Sequence, residues 1–255
     1  MADRQLEGRI ALITGASSGL GVHFARLYAA AGAAVVIGAR RAERVADLAA
    51  EIEAGGGRAL AVSLDVTDEA SIIAAFDAAE AKFGAPDVVV ANAGIVIPGR
   101  AVDLAADHIR SVIDTNFIGV YLTAREGARR MMAAGSKESE RGRIILIGSI
   151  TAEMTGQGDA AYASSKAGVA HLGRQLAQEW VRQGINVNVI QPGYIRTEIG
   201  GEWFDTDGGK AQIAGWHRRR LTNITALDPL MLFFASDASR QTTGAHISVD
   251  DGQSL

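Results

Sequence analysis

The stretch "RIALITGASSGLG" (9–21) places three glycines, Gly15, Gly19 and Gly21, directly after a short apolar run. The apolar run predicts a buried β-strand, and the alanine-rich segment that follows the glycines predicts a helix. Glycine permits a tight turn between the two and lets the backbone N–H groups of the helix N-terminus approach a pyrophosphate. The stretch therefore predicts a dinucleotide phosphate site, although glycines also occur wherever a strand turns sharply into a helix.

Further apolar or β-branched runs recur along the chain and alternate with alanine-rich amphipathic stretches of helical length. With "RIALIT" (9–14), the runs are "AAVVIG" (33–38), "ALAVSL" (59–64), "DVVVAN" (87–92), "RIILIG" (143–148), "NVNVI" (186–190) and "HISVD" (246–250). Continuous apolar strands are typical of a parallel sheet that is covered on both faces. We therefore expect a single α/β domain over residues 1–255, with a doubly wound, seven-stranded parallel sheet and helices on both faces.

Two segments do not fit this alternation. "AAGSKESERG" (133–142) is polar and is expected to be a solvated loop. Residues 195–220 have no clear place in the pattern, and a long irregular segment inside a compact domain is often a lid over a binding site. We expect a substrate lid there.

Composition excludes several classes of function. The chain has 255 residues, 48% of them hydrophobic, a formal net charge of -4 and no cysteine. The charge gives no general attraction to nucleic acid or anionic membranes, and disulfides, thiolate metal sites and cysteine nucleophiles are impossible.

The start "MADRQLEGRI" lacks the order of a secretory signal and no apolar run is long enough to span a bilayer, so a cytoplasmic protein is expected. His23 and His171 lack partners at metal-ligand spacing, and no metal site is predicted.

The end of the second strand bears on the choice of coenzyme. A carboxylate at this position would hold the ribose 2′-hydroxyl of NAD, but the chain reads "VVIGARR", with Arg40 and Arg41. Guanidinium groups match phosphate geometry, so a 2′-phosphate and hence NADP(H) is favoured. The alternative is that both arginines merely begin an exposed helix. Asp65, after the third strand, is expected either to contact the adenine side of the cofactor or to stabilise its own turn.

A second motif, "AYASSKAG" (161–168), sets Tyr162 and Lys166 four residues apart among small side chains. Positions four apart share one face of a helix, so the two side chains would point the same way. The small neighbours would leave room for a cofactor and substrate, or for a partner helix.

In chain order, "TGASSGLG", "ANAG" (91–94), Asn116 in "DTNFIGVYL", Ser149 in "IGSI", "YASSK" (162–166) and "QPGYIRTE" (191–198) resemble the short-chain dehydrogenase/reductase family over nearly the whole chain. The resemblance implies a Rossmann fold in which Tyr162 is the general acid during carbonyl reduction and the base in the reverse direction. It also implies that Lys166 lowers the pKa of Tyr162 and binds the nicotinamide ribose, that Ser149 holds the substrate oxygen, and that Asn116 anchors a water on a proton path.

The same resemblance implies a set of cofactor-binding residues. They are Gly15, Ser17, Ser18, Gly19, Leu20, Gly21, Arg40, Arg41, Asp65, Val66, Asn92, Ala93, Gly94, Tyr162, Lys166, Pro192, Gly193, Ile195 and Thr197. Two positions depart from the common family pattern: Ala91 stands where an asparagine often precedes "NAG", and the C-terminus reads "VDDGQSL" where Asp-Gly-Gly is common.

Each catalytic candidate has a simpler structural explanation. Ser149 could cap the turn after the fifth strand, Asn116 could satisfy buried backbone groups, and Tyr162 could be a half-buried aromatic residue. The complete set, downstream of the glycine loop, favours the catalytic interpretation.

The expected lid is rich in aromatic and apolar residues, which predicts a hydrophobic and bulky ketone or secondary alcohol as substrate. Met154, Gln157, Trp203 and Phe204 are the expected pocket walls, the first two on spacing alone. The alternative is that the aromatic residues only pack the lid onto the core or against another subunit. The basic run "HRRR" (217–220) is either a solvated face or a docking patch for an acidic carrier or coenzyme A.

The leading hypothesis is an NADP(H)-dependent oxidoreductase that interconverts ketones and secondary alcohols. A reductase of 3-oxoacyl groups on a carrier protein or coenzyme A is the alternative enzyme, and a non-catalytic NADP-binding sensor is the alternative from another class. The expected partner is a small molecule, with no nucleic acid and no membrane. The resemblance also implies a homotetramer built through the long helices that carry Asn116 and Tyr162.

Overall fold

A single parallel sheet organises the chain. In the computed structural model, residues 4–200 and 202–255 are described, and they form an α/β fold around a seven-stranded sheet in the order β3-β2-β1-β4-β5-β6-β7. The strands are β1 (Ile10–Thr14), β2 (Ala34–Ala39), β3 (Arg58–Ser63), β4 (Val88–Ala91), β5 (Gly142–Ile147), β6 (Ile185–Pro192) and β7 (His246–Val249). Each predicted strand is confirmed, and the largest shift is at the end of β6, which was predicted at residue 190 and lies at Pro192.

Helices cover both faces of this sheet, as the single-domain Rossmann fold requires. They are α1 (Gly19–Ala30), α2 (Ala42–Ala54), α3 (Glu69–Phe83), α4 (Ala106–Ile113), α5 (Gly119–Ala133), α6 (Ser136–Ser139), α7 (Ala160–Trp180), α8 (Asp207–Gly215) and α9 (Asp228–Ala235). Helices α1, α2 and α9 pack on one face, and α3, α5 and α7 pack on the other.

Alternate strand residues build the two cores. Val35 and Ile37 of β2 point to the α1 side while Val36 points to the α3 side, and all three are fully buried. Successive side chains of a strand point to opposite faces, so a strand that is buried on both faces must be apolar at every position. This explains why the strands were recognisable as continuous apolar runs.

Two buried arginines form hydrogen bonds at the amino edge of the sheet, which is the edge where the parallel strands begin. The Arg9 guanidinium donates to Asp87 Oδ2 at 2.9 Å and to the Arg141 carbonyl at 2.7 Å. Arg143 is 1% exposed and donates to the carbonyls of Ser236, Glu140 and Gly142. Burial lowers the pKa of Arg143 to about 10. These bonds satisfy arginines that would otherwise be costly to bury.

Two loop predictions need correction. The polar segment 133–142 is not simply a solvated loop, because it contains the one-turn helix α6, and Ser136 is buried there and donates to the Gln183 carbonyl. The segment 195–220 is only partly irregular, since it forms a 3₁₀ turn at Glu202–Asp205 and then α8. Gly201, within the predicted lid, lies outside the described residues.

Candidate active site

A cleft of about 1100 Å³ opens at the carboxyl edge of the sheet. The strand order reverses between β1 and β4, and open α/β sheets bind ligands at such a switch point. Most residues of the predicted site line this cleft: Gly15, Ser17, Ser18, Gly19, Leu20, Arg40, Arg41, Asp65, Val66, Asn92, Ala93, Gly94, Ser149, Gln157, Tyr162, Lys166, Pro192, Gly193, Ile195, Thr197, Trp203 and Phe204. Gly21, Asn116 and Met154 do not line it.

The glycine turn brings backbone elements too close for any side chain. Gly15 has a φ of 68°, and a Cβ there would lie 2.7 Å from Cα of Ala93. A Cβ on Gly21 would lie 2.4 Å from the Gly15 carbonyl oxygen. Gly15 therefore lets the turn after β1 approach the segment after β4, and Gly21 lets α1 approach the turn itself.

A cluster of guanidinium groups lies beside this turn. Arg41 donates from Nε to Ser17 Oγ at 3.0 Å and from Nη2 to Ser18 Oγ at 2.7 Å. Its Nη1 is 3.0 Å from one carboxylate oxygen of Glu198, and Nη1 of Arg44 is 2.8 Å from the other. The hydrogen bonds from Arg41 and Arg44 hold the pKa of Glu198 below its usual value. Sequence reasoning found Arg41 but missed Arg44 and Glu198.

Asp65 stabilises its own turn, and its contact with the adenine side of a cofactor stays a prediction. Its Oδ1 accepts from Thr67 N at 3.0 Å and from Thr67 Oγ1 at 2.8 Å, and the residue also lines the cleft. Burial raises the pKa of this carboxyl, but the bonds from Thr67 and the charge of Arg40 outweigh burial and lower it. Arg40 therefore lies close enough to Asp65 for the two charges to interact.

Tyr162 and Lys166 lie on the face of α7 that borders the cleft. Lys166 is 3% exposed, donates from Nζ to the Ile147 carbonyl at 2.8 Å, and lies 5.7 Å from the centre of the Tyr162 ring. Burial lowers the pKa of Lys166 to about 8. Burial raises the pKa of Tyr162, and a hydrogen bond with Ser149 acts in the opposite direction. Burial therefore sets the net direction for Tyr162 here, and the expected lowering by Lys166, which an oxidised nicotinamide would assist, stays a prediction.

Ser149 both caps a turn and contacts Tyr162. Its Oγ accepts from Thr151 N at 3.2 Å and so caps the 3₁₀ turn Ile150–Ala152 that follows β5. Against the effect of burial, Ser149 also lowers the pKa of Tyr162. The cap fixes the orientation of Ser149, which lines the cleft together with Tyr162.

Asn116 lies behind the cleft in a π-helical turn, Asp114–Ile118, between α4 and α5. Its side chain is fully buried, accepts from Ile95 N at 2.8 Å and donates to the Ile95 carbonyl at 2.9 Å. The simpler explanation, that Asn116 satisfies buried backbone groups, therefore holds, although the backbone belongs to the segment after β4. A Cβ on Gly94 would lie 3.4 Å from Asn116 Oδ1 and 3.7 Å from Lys166 Nζ, so both polar groups border Gly94.

The small residues around Tyr162 are explained by helix packing as well as by the cleft. Asn116 Nδ2 donates to Ser165 Oγ at 3.2 Å, and Ser165 donates to the Tyr162 carbonyl at 2.6 Å. A Cβ on Gly168 would lie 3.0 Å from the Phe117 ring. Serine and glycine at these positions let the π-helical turn approach α7 closely.

The end of the cleft beside Tyr162 has an aromatic wall. Tyr194 stacks on Trp216 with ring centres 5.2 Å apart, and Phe204 meets the Tyr194 ring edge-on at 5.8 Å. Phe204 is buried while Trp203 is half exposed, so these residues both pack the segment on itself and line the cleft. The predicted wall at Met154 is wrong, because that residue lies in the turn after Ala152 and outside the cleft lining.

Sequence reasoning also missed Tyr194, Asp159 and Gln253 at this end. Tyr194 and Asp159 line the cleft. The Gln253 side chain accepts from Tyr194 N at 2.6 Å and donates to the Arg220 carbonyl at 3.1 Å. The C-terminal segment thus supports the loop that carries Tyr194. No spacing could have predicted this contact between distant parts of the chain.

The part of the chain that the structure describes contains neither a metal-ligand cluster nor a membrane-spanning helix. Residues 4–200 and 202–255 contain no group of three potential metal-ligating side chains. Within the same ranges, no helix has the length and apolarity that crossing a membrane requires.

Comparisons with known proteins match this geometry. Residues 9–208 match the family model for short chain dehydrogenases. The chain is 40% identical to cis-4-hydroxycyclohexanecarboxylate dehydrogenase of Sinomonas cyclohexanicum over 96% of both chains, and 35% identical to the 3-oxoacyl-[acyl-carrier-protein] reductase of Escherichia coli over 96% of this chain and 97% of that one. The structure of a gluconate 5-dehydrogenase from Burkholderia cenocepacia, in complex with NADP and tartrate, aligns with a TM-score of 0.92 at 34% identity, covering 98% of this chain and 97% of that one.

The gluconate 5-dehydrogenase structure contains NADP and shares the fold of this chain. The chain belongs to the short-chain dehydrogenase family.

Proposed function

We propose that the protein is an NADP(H)-dependent oxidoreductase that interconverts neutral, hydrophobic ketones and secondary alcohols. The observation that carries the proposal is that Ser149, Tyr162 and the buried Lys166 line the same cleft, with Lys166 Nζ 5.7 Å from the centre of the Tyr162 ring. This arrangement can hold a carbonyl or alcohol oxygen and exchange one proton with it. A complete set of such groups also disfavours a non-catalytic sensor.

The residues that line the cleft fit nicotinamide adenine dinucleotide phosphate, NADP(H). The floor at Gly15 excludes any Cβ, and Arg40, Arg41 and Ser18 supply cationic and neutral donors for a phosphate beside it. Asp65 and Val66 would border the adenine, and Asn92, Gly94, Pro192 and Thr197 would border the rest of the cofactor. When bound, the nicotinamide accepts or supplies a hydride.

In the proposed mechanism, Ser149 donates a hydrogen bond to the substrate oxygen and stabilises negative charge there as a ketone is reduced. Tyr162 gives its phenolic proton to that oxygen, and it takes the proton back when an alcohol is oxidised. Lys166 stabilises the resulting phenolate by its charge, and Asn116 fixes the backbone around Gly94 next to Lys166. A water held near Asn116 would carry the proton onward.

The charges at the substrate end favour a neutral substrate. Among the described residues that line the cleft, the segments 149–159 and 194–212 contribute no lysine or arginine. They contribute the carboxylate of Asp159, while the carboxylate of Glu198 lies at the coenzyme end and is paired with Arg41 and Arg44. Ile199, Trp203 and Phe204 add apolar surface. An anionic substrate would therefore lose its hydration without gaining a cationic partner.

A matched substrate series tests this proposal. The relative from Sinomonas cyclohexanicum is named for a carboxylate substrate, so cis-4-hydroxycyclohexanecarboxylate and its methyl ester form a charged and a neutral pair. We expect kcat/KM with NADP⁺ to be at least about tenfold higher for the ester, since burying an unpaired charge is costly. Equal or better turnover of the carboxylate would overturn the substrate class, and absence of turnover with all neutral alcohols and ketones would overturn the activity.

The raised pKa of Tyr162 predicts different pH profiles for the two directions. Below about pH 8, Lys166 keeps its charge, and the phenol of Tyr162 stays largely protonated. Ketone reduction needs the phenol and should be nearly independent of pH from about 6 to 8, while alcohol oxidation needs the phenolate and should rise by about tenfold per pH unit. Measuring kcat/KM in both directions over this range checks the assignment. A reduction rate that falls steeply in the same range would contradict it.

Reduction of 3-oxoacyl groups on a carrier is the second candidate, because a relative is a 3-oxoacyl-[acyl-carrier-protein] reductase. The proposed docking patch at residues 217–220 supports it weakly. Asp251 is bonded to Arg220 at 2.6 Å and to Arg218 at 3.1 Å, so one carboxylate within the chain already compensates part of the positive charge of this run. The run also does not line the cleft. We therefore favour small substrates.

The proposed assembly is a homotetramer built through α4, α5 and α7. Large apolar side chains are exposed on this side of the fold: Ile109 on α4, Ile118 in the π-helical turn, and Tyr121 on α5. Contiguous exposed apolar residues on helices are typical of subunit interfaces.

A further inference from the structure

Glu198 forms ion pairs with arginines that would otherwise be available to the 2′-phosphate of the proposed coenzyme. One of its carboxylate oxygens is 3.0 Å from Nη1 of Arg41, and the other is 2.8 Å from Nη1 of Arg44. Arg41 is at the same time bonded to Ser17 and Ser18 of the glycine turn. A carboxylate with both oxygens on guanidinium groups occupies the same donors that a phosphate would take. Glu198 also lines the cleft.

The position of Glu198 joins two parts of the molecule. Arg41 and Arg44 belong to the start of α2, whereas Glu198 lies at the start of the segment that carries Trp203 and Phe204. The ion pairs therefore tie the proposed lid to the coenzyme end of the cleft. A 2′-phosphate at Arg41 would displace the carboxylate and repel it, since both are anions.

We propose that Glu198 determines coenzyme affinity and lid position by competing with the 2′-phosphate of NADP(H) for Arg41 and Arg44. The inference rests on the proposed NADP(H) preference. In the free protein Glu198 holds the start of the lid against α2. Binding of a 2′-phosphate transfers the arginines to the coenzyme and releases the lid at Glu198. A ligand without this phosphate leaves the tie intact.

Binding of nucleotide fragments tests the proposal without turnover. Adenosine 2′,5′-bisphosphate carries the 2′-phosphate, and adenosine 5′-monophosphate lacks it. In Glu198→Gln we expect the Kd of the bisphosphate to fall by about threefold to tenfold, because each exposed ion pair lost to the ligand has a modest strength. The Kd of the monophosphate should not change. Isothermal titration calorimetry at low and high salt measures both, and the difference between the proteins should shrink at high salt.

Glu202→Gln is the matched control, because it makes the same change of charge in an exposed residue of the same segment. It should leave both Kd values as in the unmodified protein. An unchanged or higher bisphosphate Kd in Glu198→Gln, or the same gain in Glu202→Gln, would overturn the proposal.

Hydrogen exchange provides a second readout for the lid. The bisphosphate should speed amide exchange around residues 198–200 in the unmodified protein, and the monophosphate should not. In Glu198→Gln, exchange there should already be fast and should respond to neither ligand. Exchange that the bisphosphate does not change in the unmodified protein would contradict release of the lid.

The proposed coenzyme and this inference can fail separately. The ratio of the two Kd values in the unmodified protein tests the NADP(H) preference, whereas the change in that ratio on Glu198→Gln tests the competition. A ratio near one that becomes large in Glu198→Gln would contradict the preference and support the competition. A large ratio that Glu198→Gln leaves unchanged would support the preference and overturn the competition.

Discussion

Replacing Tyr162 with phenylalanine should lower kcat by about 10³-fold or more, since the reacting oxygen loses its proton donor and acceptor. The ring remains, so the shape of the cleft is kept. Lys166 also remains bonded to the Ile147 carbonyl, and Ser149 remains bonded to Thr151. The Kd of NADPH should therefore change by less than about twofold, which separates a loss of chemistry from a loss of binding.

Steady-state turnover at saturating coenzyme and a fluorescence titration with NADPH measure the two quantities. Tyr121→Phe removes the same hydroxyl from an exposed position on α5, outside the cleft, and should retain full activity. Activity of Tyr162→Phe within about tenfold of the unmodified protein would rule out Tyr162 as the acid and base.

Arg40→Asp should reverse the proposed preference for coenzyme. Arg40 directly follows β2, lines the cleft and acts on Asp65 through its charge. A carboxylate at position 40 would repel a 2′-phosphate and could accept a hydrogen bond from a free ribose hydroxyl. We expect the Kd of NADPH to rise by about 100-fold and that of NADH to stay equal or fall.

Arg40 suits this experiment better than Arg41, whose bonds to Ser17 and Ser18 also support the glycine turn. Arg58→Asp is the control, because Arg58 is an exposed residue at the amino end of β3. It therefore lies at the amino edge of the sheet, whereas Arg40 and the cleft lie at the carboxyl edge. The control substitution changes the net charge equally and should leave the ratio of the two Kd values unaltered. The same shift in both variants would indicate a general effect of charge, and no shift in Arg40→Asp would remove Arg40 from the phosphate site.

The sequence predicts the sheet well because its central strands are buried on both faces and consist mostly of apolar residues. It also predicts the cleft residues that follow strands directly, since the carboxyl ends of parallel strands meet at one edge. Gly15, Arg40, Asp65 and Asn92 are of this kind, and all of them line the cleft.

The features of the site that the sequence does not predict depend on contacts between distant parts of the chain, which no local pattern encodes. Glu198 and Arg41 are separated by 157 positions, and only the folded chain brings them together. Met154 was placed in the pocket by spacing alone, but residues 152–155, which follow the 3₁₀ turn capped by Ser149, do not line the cleft, whereas residues 156–159 do. The raised pKa of Tyr162 arises from its burial, which depends on how the chain packs around the ring and not on the spacing of Tyr162 and Lys166.

The buried arginines of the amino edge have a consequence for engineering this protein. Arg9 and Arg143 hold strand β5 and the start of β1 to neighbouring segments at the edge that faces away from the cleft. Turnover depends on loops at the other edge, which the arginine bonds do not reach. Substitutions can thus be sorted by edge before they are made. We expect changes around Arg143 to alter the yield of folded protein, and changes beyond the carboxyl ends of the strands to alter which substrates are accepted. Variation aimed at substrate range can be confined to residues beyond the carboxyl ends of the strands. The residues around Arg143 are then left unchanged, so that the stability of the fold is kept.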